Sequence, residues 1–231
     1  MTEVNTNMAE QADIINTHDL TDWLVIGFFT PNYRELAETF ASSLCKQNHP
    51  HHLFAVESSG TWSHVTMLKP TVILNAMDHY PDKSLILMDV DCIVNGPLDE
   101  LAHFQPNADV SCYTTLTMKQ LRRHRQNFSL SSRVMLIRPT AGARDFMNKW
   151  REACDERPWM YGAERNLVLA FTRAVGVVFS PLSATYSGRE VGTARATNAI
   201  ITHKSAVKSF KENTSITARA LRSATRLFVF K

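Results

Sequence analysis

The sequence predicts an α/β protein: a single domain with a mostly parallel central sheet and helices on both of its faces. Three observations carry this. Short aliphatic runs alternate along the chain with segments whose apolar residues recur at helical spacing. The aliphatic runs are apolar throughout rather than at every second residue, as strands covered on both faces are. A chain of 231 residues, 44% hydrophobic and 20% charged, can build one sizeable core and leaves little room for a second.

The elements follow in order. "DWLVIGFFT" (22–30) reads as a first buried strand, and "PNYRELAETFASSLCKQN" as its helix, with Leu36, Phe40, Ser43 and Leu44 at helical spacing. "HHLFAVE" (51–57) reads as a second strand. His49, His51 and His52, beside Pro50, read as a solvated turn leading into it. "KPTVILNAMDHY" (69–80) is a helix with Pro70 in its first turn, where proline is favoured. "SLILMDVDCIV" (84–94), bounded by "PDK" and "NGP", is a continuous buried strand ending on an acidic pair. "ADVSCYT" (108–114) and "SSRVMLIRP" (131–139) are further strands, followed by amphipathic helices at "AGARDFMNKWREACDE" (141–156) and "AERNLVLAFTRA" (163–174). "VGVVFSP" (175–181) and "NAIITHK" (198–204) complete the strand set. There is no internal repeat. The domain is expected over 21–212, with residues 1–20 polar enough to be loose. Residues 213–231 read as an amphipathic helix, with Arg219, Arg222 and Arg226 on one face and Ile216, Ala220, Ala224, Leu227 and Phe228 on the other.

Charge and cysteines narrow the function. A net charge of +3 permits an anionic ligand such as a diphosphate without demanding nucleic acid. The basic run Arg122, Arg123, His124 and Arg125 accordingly reads as a solvated face. Cys45, Cys92, Cys112 and Cys154 lack metal-type spacing and read as buried free thiols of a reducing compartment. The first twenty residues hold no apolar core like that of a signal peptide, and no run reaches the roughly 18 apolar residues of a membrane span, so a cytoplasmic protein is expected. For residues 213–231, packing on the domain is favoured. Peripheral contact with the inner face of a membrane, through basic attraction and apolar insertion, is the second reading.

The acidic pair raises the chemical question. On a strand, residues two apart share a side, so Asp89 and Asp91 would aim two carboxylates into one volume, and like charges that close call for a cation or a proton. Three readings compete. The aspartates could cap a loop and bind nothing. They could belong to a phosphatase of the haloacid dehalogenase type, with Asp89 as nucleophile, although Cys92 and Ile93 stand where that family continues with Gly-Thr. Or the pair could hold a divalent ion on the diphosphate of a nucleotide sugar.

An ordered set of motifs over roughly residues 22–210 resembles the GT-A glycosyltransferases, whose domain is Rossmann-like. "IGFFTPNYRELAETFASSL" is similar to the family's first strand and helix, and the resemblance implies that Thr30 and Tyr33 lie near the nucleotide. "LKPTVILNAMDHYPDKSLILMDVDCIVNGPLDEL" resembles its helix, strand and D-x-D motif, with Asp89, Val90 and Asp91 at the donor. "LSSRVMLIRPT" resembles the strand facing the donor sugar, which implicates Ser132, although Arg133 stands where relatives carry glycine. "AERNLVLAF" resembles the helix start under that sugar, and Glu164 is the catalytic candidate, although Arg165 and Asn166 depart from the usual pattern. "IITHKSAVKSF" resembles the strand ending on a metal-binding histidine, His203, with Lys208 reaching the phosphates. The resemblance implies a UDP-sugar donor and retention of anomeric configuration.

The chemistry agrees with that list. Two carboxylates and an imidazole suit manganese better than magnesium, which favours an all-oxygen shell. Lys69, at a helix N-terminus, is electrostatically misplaced unless an anion offsets it, so it is assigned to the donor. Trp62 either stacks on a sugar or base, or covers the sheet edge. The acceptor, whether glycan, lipid-linked or other, is not specified by any motif; "TLTMKQLRRHRQNF" (115–128) is the segment most suited to grip it. A degenerate transferase that binds nucleotide or sugar without turnover is the non-enzyme alternative, kept open by Arg133.

Overall fold

A computed structural model of the chain describes residues 12–17, 21–57, 61–115, 128–160, 162–186 and 199–203. Lys204, Lys208, residues 213–231 and residues 116–127 lie outside the described residues, and so do the roles expected of them. No helix among the described residues is long and apolar enough to cross a membrane.

Seven strands form the main sheet: β1 (Ile14–Asn16), β2 (Trp23–Phe29), β3 (His51–Ala55), β4 (Ser84–Met88), β6 (Val110–Thr115), β7 (Ser129–Ile137) and β8 (Phe179–Pro181), in the order β1-β3-β2-β4-β7-β6-β8. β2 runs parallel to β3 and β4, and β6 parallel to β8. β1 and β7 run against their neighbours, so the remaining five strands share one direction. Two short strands, β5 (Cys92–Val94) and β9 (Ile201–His203), pair antiparallel in a separate ribbon.

The sheet is apolar on both faces because its strands are. Leu24, Ile26, Leu85, Leu87, Met135 and Ile137 face one layer, while Trp23, Val25, Ile86, Met88, Val134 and Leu136 face the other. The first layer holds α3 (Lys69–His79), α5 (Ala141–Glu156) and α6 (Ala163–Arg173), through residues such as Ile73, Met77, Phe146, Trp150 and Leu167. α1 (Arg34–Lys46) and α4 (Asp99–Ala102) cover the other with Phe40, Leu44 and Leu101. A further short helix, α2 (Trp62–Met67), leads directly into α3. On α5 the buried Ala143, Phe146, Met147, Trp150, Ala153 and Cys154 follow the i, i+3, i+4 pattern, and the Trp150 indole donates to the Ala163 carbonyl, 3.1 Å away, joining α5 to α6.

Four expectations change. The run 84–94 is not one strand: β4 stops at Met88, and the chain turns through Asp89, Val90 and Asp91 before β5 begins in the other ribbon. The Cys92 amide donates to the Asp89 carbonyl at 3.0 Å and closes that turn. Residues 1–20 are not loose throughout, since Ile14–Asn16 adds an edge strand to β3. His49, His51 and His52 are buried rather than solvated. His49 and His51 bond the Gly96 and His49 carbonyls, and His52 lies 2.8 Å from both the Tyr80 hydroxyl and Asp13, which β1 brings to the sheet. Among the cysteines, Cys92, Cys112 and Cys154 are buried free thiols, whereas Cys45 is exposed.

Candidate functional site

In an open sheet of this kind ligands bind beyond the carboxyl ends of the parallel strands. Four segments meet there: the turn after β2, the Asp89–Asp91 turn after β4, the start of β7, and the end of β9.

The acidic turn is held from below and from the side. Gly27 on β2 lies directly under it, where a Cβ would stand 2.9 Å from the Met88 carbonyl oxygen, 3.2 Å from Leu53 and 3.4 Å from Val90. Only glycine lets the turn approach β2 this closely. Val90 is buried in the second core layer, while the flanking Asp89 and Asp91 side chains are 27% and 13% exposed. The Asp89 amide donates to the Arg133 carbonyl at 2.9 Å, extending the β4–β7 ladder one step past β4. Arg133 thus serves the site through its backbone.

Lys69 begins α3 and is 5% exposed. Its ammonium donates to Asp89 Oδ1 at 2.5 Å and to the carbonyl and hydroxyl oxygens of Ser132, both at 3.1 Å. An ammonium has three donors, and three protein acceptors match them. In this structure Lys69 therefore orients Asp89 and ties it to Ser132. Burial pushes the Asp89 carboxyl above its usual range, Lys69 pulls it down, and Asp91 adds to the rise.

His203 reaches the pair across the small ribbon. β5 and β9 pair Cys92 with His203, so the turn of the acidic motif and the end of the last described strand are fixed side by side. His203 Nε2 lies 2.8 Å from Asp91 Oδ1, with both side chains 13% exposed. One donor atom from each of Asp89, Asp91 and His203 falls within 4.8 Å of the others. Two hard oxygens and one imidazole nitrogen in that volume form a donor set that fits a divalent cation.

The remaining expected residues divide. Tyr33 ends the helical turn Pro31–Tyr33, and its phenol is raised by burial, with the charges of Asp91 and Asp89 adding to the rise. Thr30 is 2% exposed and donates to Asn32 Oδ1 at 2.5 Å, shaping that turn from within. Glu164 is exposed in the first turn of α6 and accepts from the Ser131 hydroxyl at 3.3 Å, so it borders the site through the start of β7. Ser131 was missed from sequence. The doubled serine gave no sign of which hydroxyl faced which partner, and the strand alternation now assigns Ser131 to Glu164 and Ser132 to Lys69.

No protein-family model matches the sequence, and no curated protein does. Solved structures do match. A glycosyltransferase involved in glycosylation of the major capsid of the virus PBCV-1 aligns over 90% of this chain and 100% of its own, with a TM-score of 0.58 at 14% identity. The glycosyltransferase GlyE of Streptococcus pneumoniae aligns over 78% of this chain and 54% of its own, at 0.54 and 14%. The galactosyltransferase LgtC, solved with donor and acceptor sugar analogues, aligns over 85% and 99%, at 0.52 and 9%. The chain has the GT-A glycosyltransferase fold. At these identities the likeness speaks to the fold, and the chemistry rests on the residues just described.

Proposed function

We propose that the chain is a metal-dependent glycosyltransferase that moves a sugar from a nucleotide-sugar donor, a uridine diphosphate sugar, to an acceptor with retention of anomeric configuration. The observation that carries this is the convergence of Asp89, Asp91 and His203 at the carboxyl ends of the parallel strands of a GT-A fold. These three residues would hold the metal, manganese in preference to magnesium because of the imidazole. A divalent ion there supplies Lewis-acid stabilisation of the charge that develops on a diphosphate leaving group.

The chain's own groups then have distinct tasks. Lys69 ties the Asp89 carboxylate to the Ser132 hydroxyl and carbonyl. The turn at Thr30–Tyr33 would border the nucleotide end of the site, with the Tyr33 phenol within electrostatic reach of Asp91 and Asp89. Glu164, exposed and bonded to the Ser131 hydroxyl, would face the donor sugar. Lys208, the lysine expected toward the phosphates, lies outside the described residues.

The test is release of UDP from a panel of UDP-sugars by the purified protein with manganese. Slow release with water and faster release with a competent acceptor is the expected result, lost on Asp91→Asn. Manganese-dependent UDP binding with no release from any donor would support the degenerate, non-catalytic alternative. Phosphate released from a simple monoester and lost on Asp89→Asn would support the phosphatase.

A further inference from the structure

Arg133 carries a charge at the site that the protein leaves unanswered. It is half-buried on β7, and among the described residues its guanidinium makes no hydrogen bond and no ion pair. A guanidinium has five donors, and charges withdrawn from water are ordinarily paired. The strand register sets this one beside the acidic turn. Met88 pairs with Val134, and one step further the Asp89 amide donates to the Arg133 carbonyl at 2.9 Å, so Arg133 is the cross-strand partner of Asp89 and the two side chains leave the ladder on one side. Asp89 Oδ1 nevertheless accepts from Lys69, and no carboxylate of the described residues answers Arg133. The charges of Arg133, Lys69, Asp89 and Asp91 all bear on the buried Cys92 thiol, so the guanidinium is within electrostatic reach of the end of that turn.

The strand is reshaped at this point. β6 and β7 pair Cys112 with Met135 and then Thr114 with Leu130, so residues 131–134 of β7 stand against Tyr113 alone. A bulge of this kind releases side chains from the regular alternation of a sheet, and bulges concentrate beside functional sites. This one holds Ser131, bonded to Glu164, Ser132, bonded to Lys69, and Arg133, which has no partner among the described residues. The order of strands fixes which part of a ligand lies here. β4 sits between β2 and β7, so with the nucleoside at the turn after β2 and a metal-held diphosphate at the turn after β4, the group beyond the diphosphate meets β7. In a nucleotide sugar that group is the sugar.

We infer that Arg133 sets the donor specificity of the enzyme, and that the sugar it selects is a uronic acid whose carboxylate the guanidinium binds; this rests on the transferase reading above. The planar fork of a guanidinium matches a carboxylate with two parallel hydrogen bonds, whereas a neutral sugar offers it single hydroxyls and leaves its charge unopposed. The diphosphate, the other anion of such a donor, is met by the metal at Asp89, Asp91 and His203, one strand nearer to β2. A uronic acid differs from its parent hexose only in carrying a carboxylate in place of a hydroxymethyl group, so the selection rests on that one group.

The experiment uses the full chain in manganese and pairs of donors that differ only in that group: UDP-glucose with UDP-glucuronate, and UDP-galactose with UDP-galacturonate, each titrated alongside UDP itself. The wild type should bind the uronate of at least one pair roughly 10–100 fold more tightly than its neutral partner, the scale of a hydrogen bond to a charged group. Arg133→Met should abolish that preference, and Arg133→Lys, which keeps the charge without the fork, should recover part of it. Arg165→Met, which removes a second half-buried arginine from α6, should leave it standing. A wild type that binds UDP without preferring either uronate, or an Arg133→Met variant that keeps the preference, overturns the uronate assignment and leaves the transferase reading in place. So does an Arg133→Met variant that weakens UDP as much as the uronate donor, which would put the guanidinium on the diphosphate. A preference lost equally on Arg165→Met also overturns it, because general positive charge would then be its source. Absence of UDP binding by the wild type in manganese removes the transferase reading and the uronate assignment together.

Discussion

Lys69→Met removes the ammonium that holds Asp89 while keeping most of the side-chain volume. The three hydrogen bonds of Lys69 are lost, and Asp89, Ser132 O and Ser132 Oγ lose a charged donor together. Breaking a buried ion pair from one side typically costs about 3–5 kcal/mol. The Lys69 side chain is 7% exposed but that of Asp89 is 27% exposed, so water can relieve part of the orphaned charge and the expected loss is about 3 kcal/mol. In a domain of this size that corresponds to a fall in Tm of roughly 6–12 °C. Urea denaturation in EDTA measures the free energy directly. Manganese should restore part of it, since a cation at Asp89 and Asp91 replaces the lost positive charge and binds only the folded chain. A loss under about 1 kcal/mol in EDTA would refute the view that Lys69 holds Asp89. A full loss in EDTA that manganese leaves unchanged would refute the placement of the metal beside it.

His203→Ala should raise the manganese concentration needed for UDP binding by roughly 10–100 fold, while costing the metal-free protein about 1 kcal/mol or less, as calorimetry and thermal melts would read. Gly27→Ala forces a methyl against the Met88 carbonyl and Val90; it should cost about 1–3 kcal/mol and weaken manganese binding by displacing the acidic turn. Arg138, at the far end of β7, donates to Ser84 Oγ and to the Ala102 and Phe104 carbonyls, so Arg138→Met should lose roughly 2–4 kcal/mol in urea melts with UDP affinity unchanged. Iodoacetamide at pH 8 should label the native protein at Cys45 alone, because burial pushes the Cys112 thiol to about 12, Cys154 to about 11 and Cys92 well above its ordinary value. Mass spectrometry counts the adducts.

The layers of the fold are legible in the sequence because doubly covered strands are continuously apolar and their helices are amphipathic. β2, β3, β4, β7, α1, α3, α5 and α6 all lie where that pattern puts them. What local pattern cannot carry is pairing over distance. β1 is three residues long and polar around its ends, and it is a strand only because β3 offers an edge and Asp13 meets His52. The same unseen strand explains why His52 reads as solvated and is buried, since Asp13 comes with it, while His49 meets the Gly96 carbonyl and His51 the nearby His49 carbonyl. The acidic run misled in a different way. Nothing in "SLILMDVDCIV" marks the exchange of one sheet for another at Asp89, so alternation suggested a shared face where a turn and the β5–β9 register bring the carboxylates and His203 together. Lys69 was legible as a charge in need of an anion. That the anion is Asp89 itself appears only in three dimensions.

Isothermal titration of UDP into the protein tests the central claim most directly, run in manganese, in EDTA, and in manganese with the isosteric Asp91→Asn variant shown folded by circular dichroism. The account predicts binding for the wild type in manganese and none in the other two cases. Equal UDP affinity in EDTA, or in the variant, would contradict a metal-held diphosphate at Asp89, Asp91 and His203.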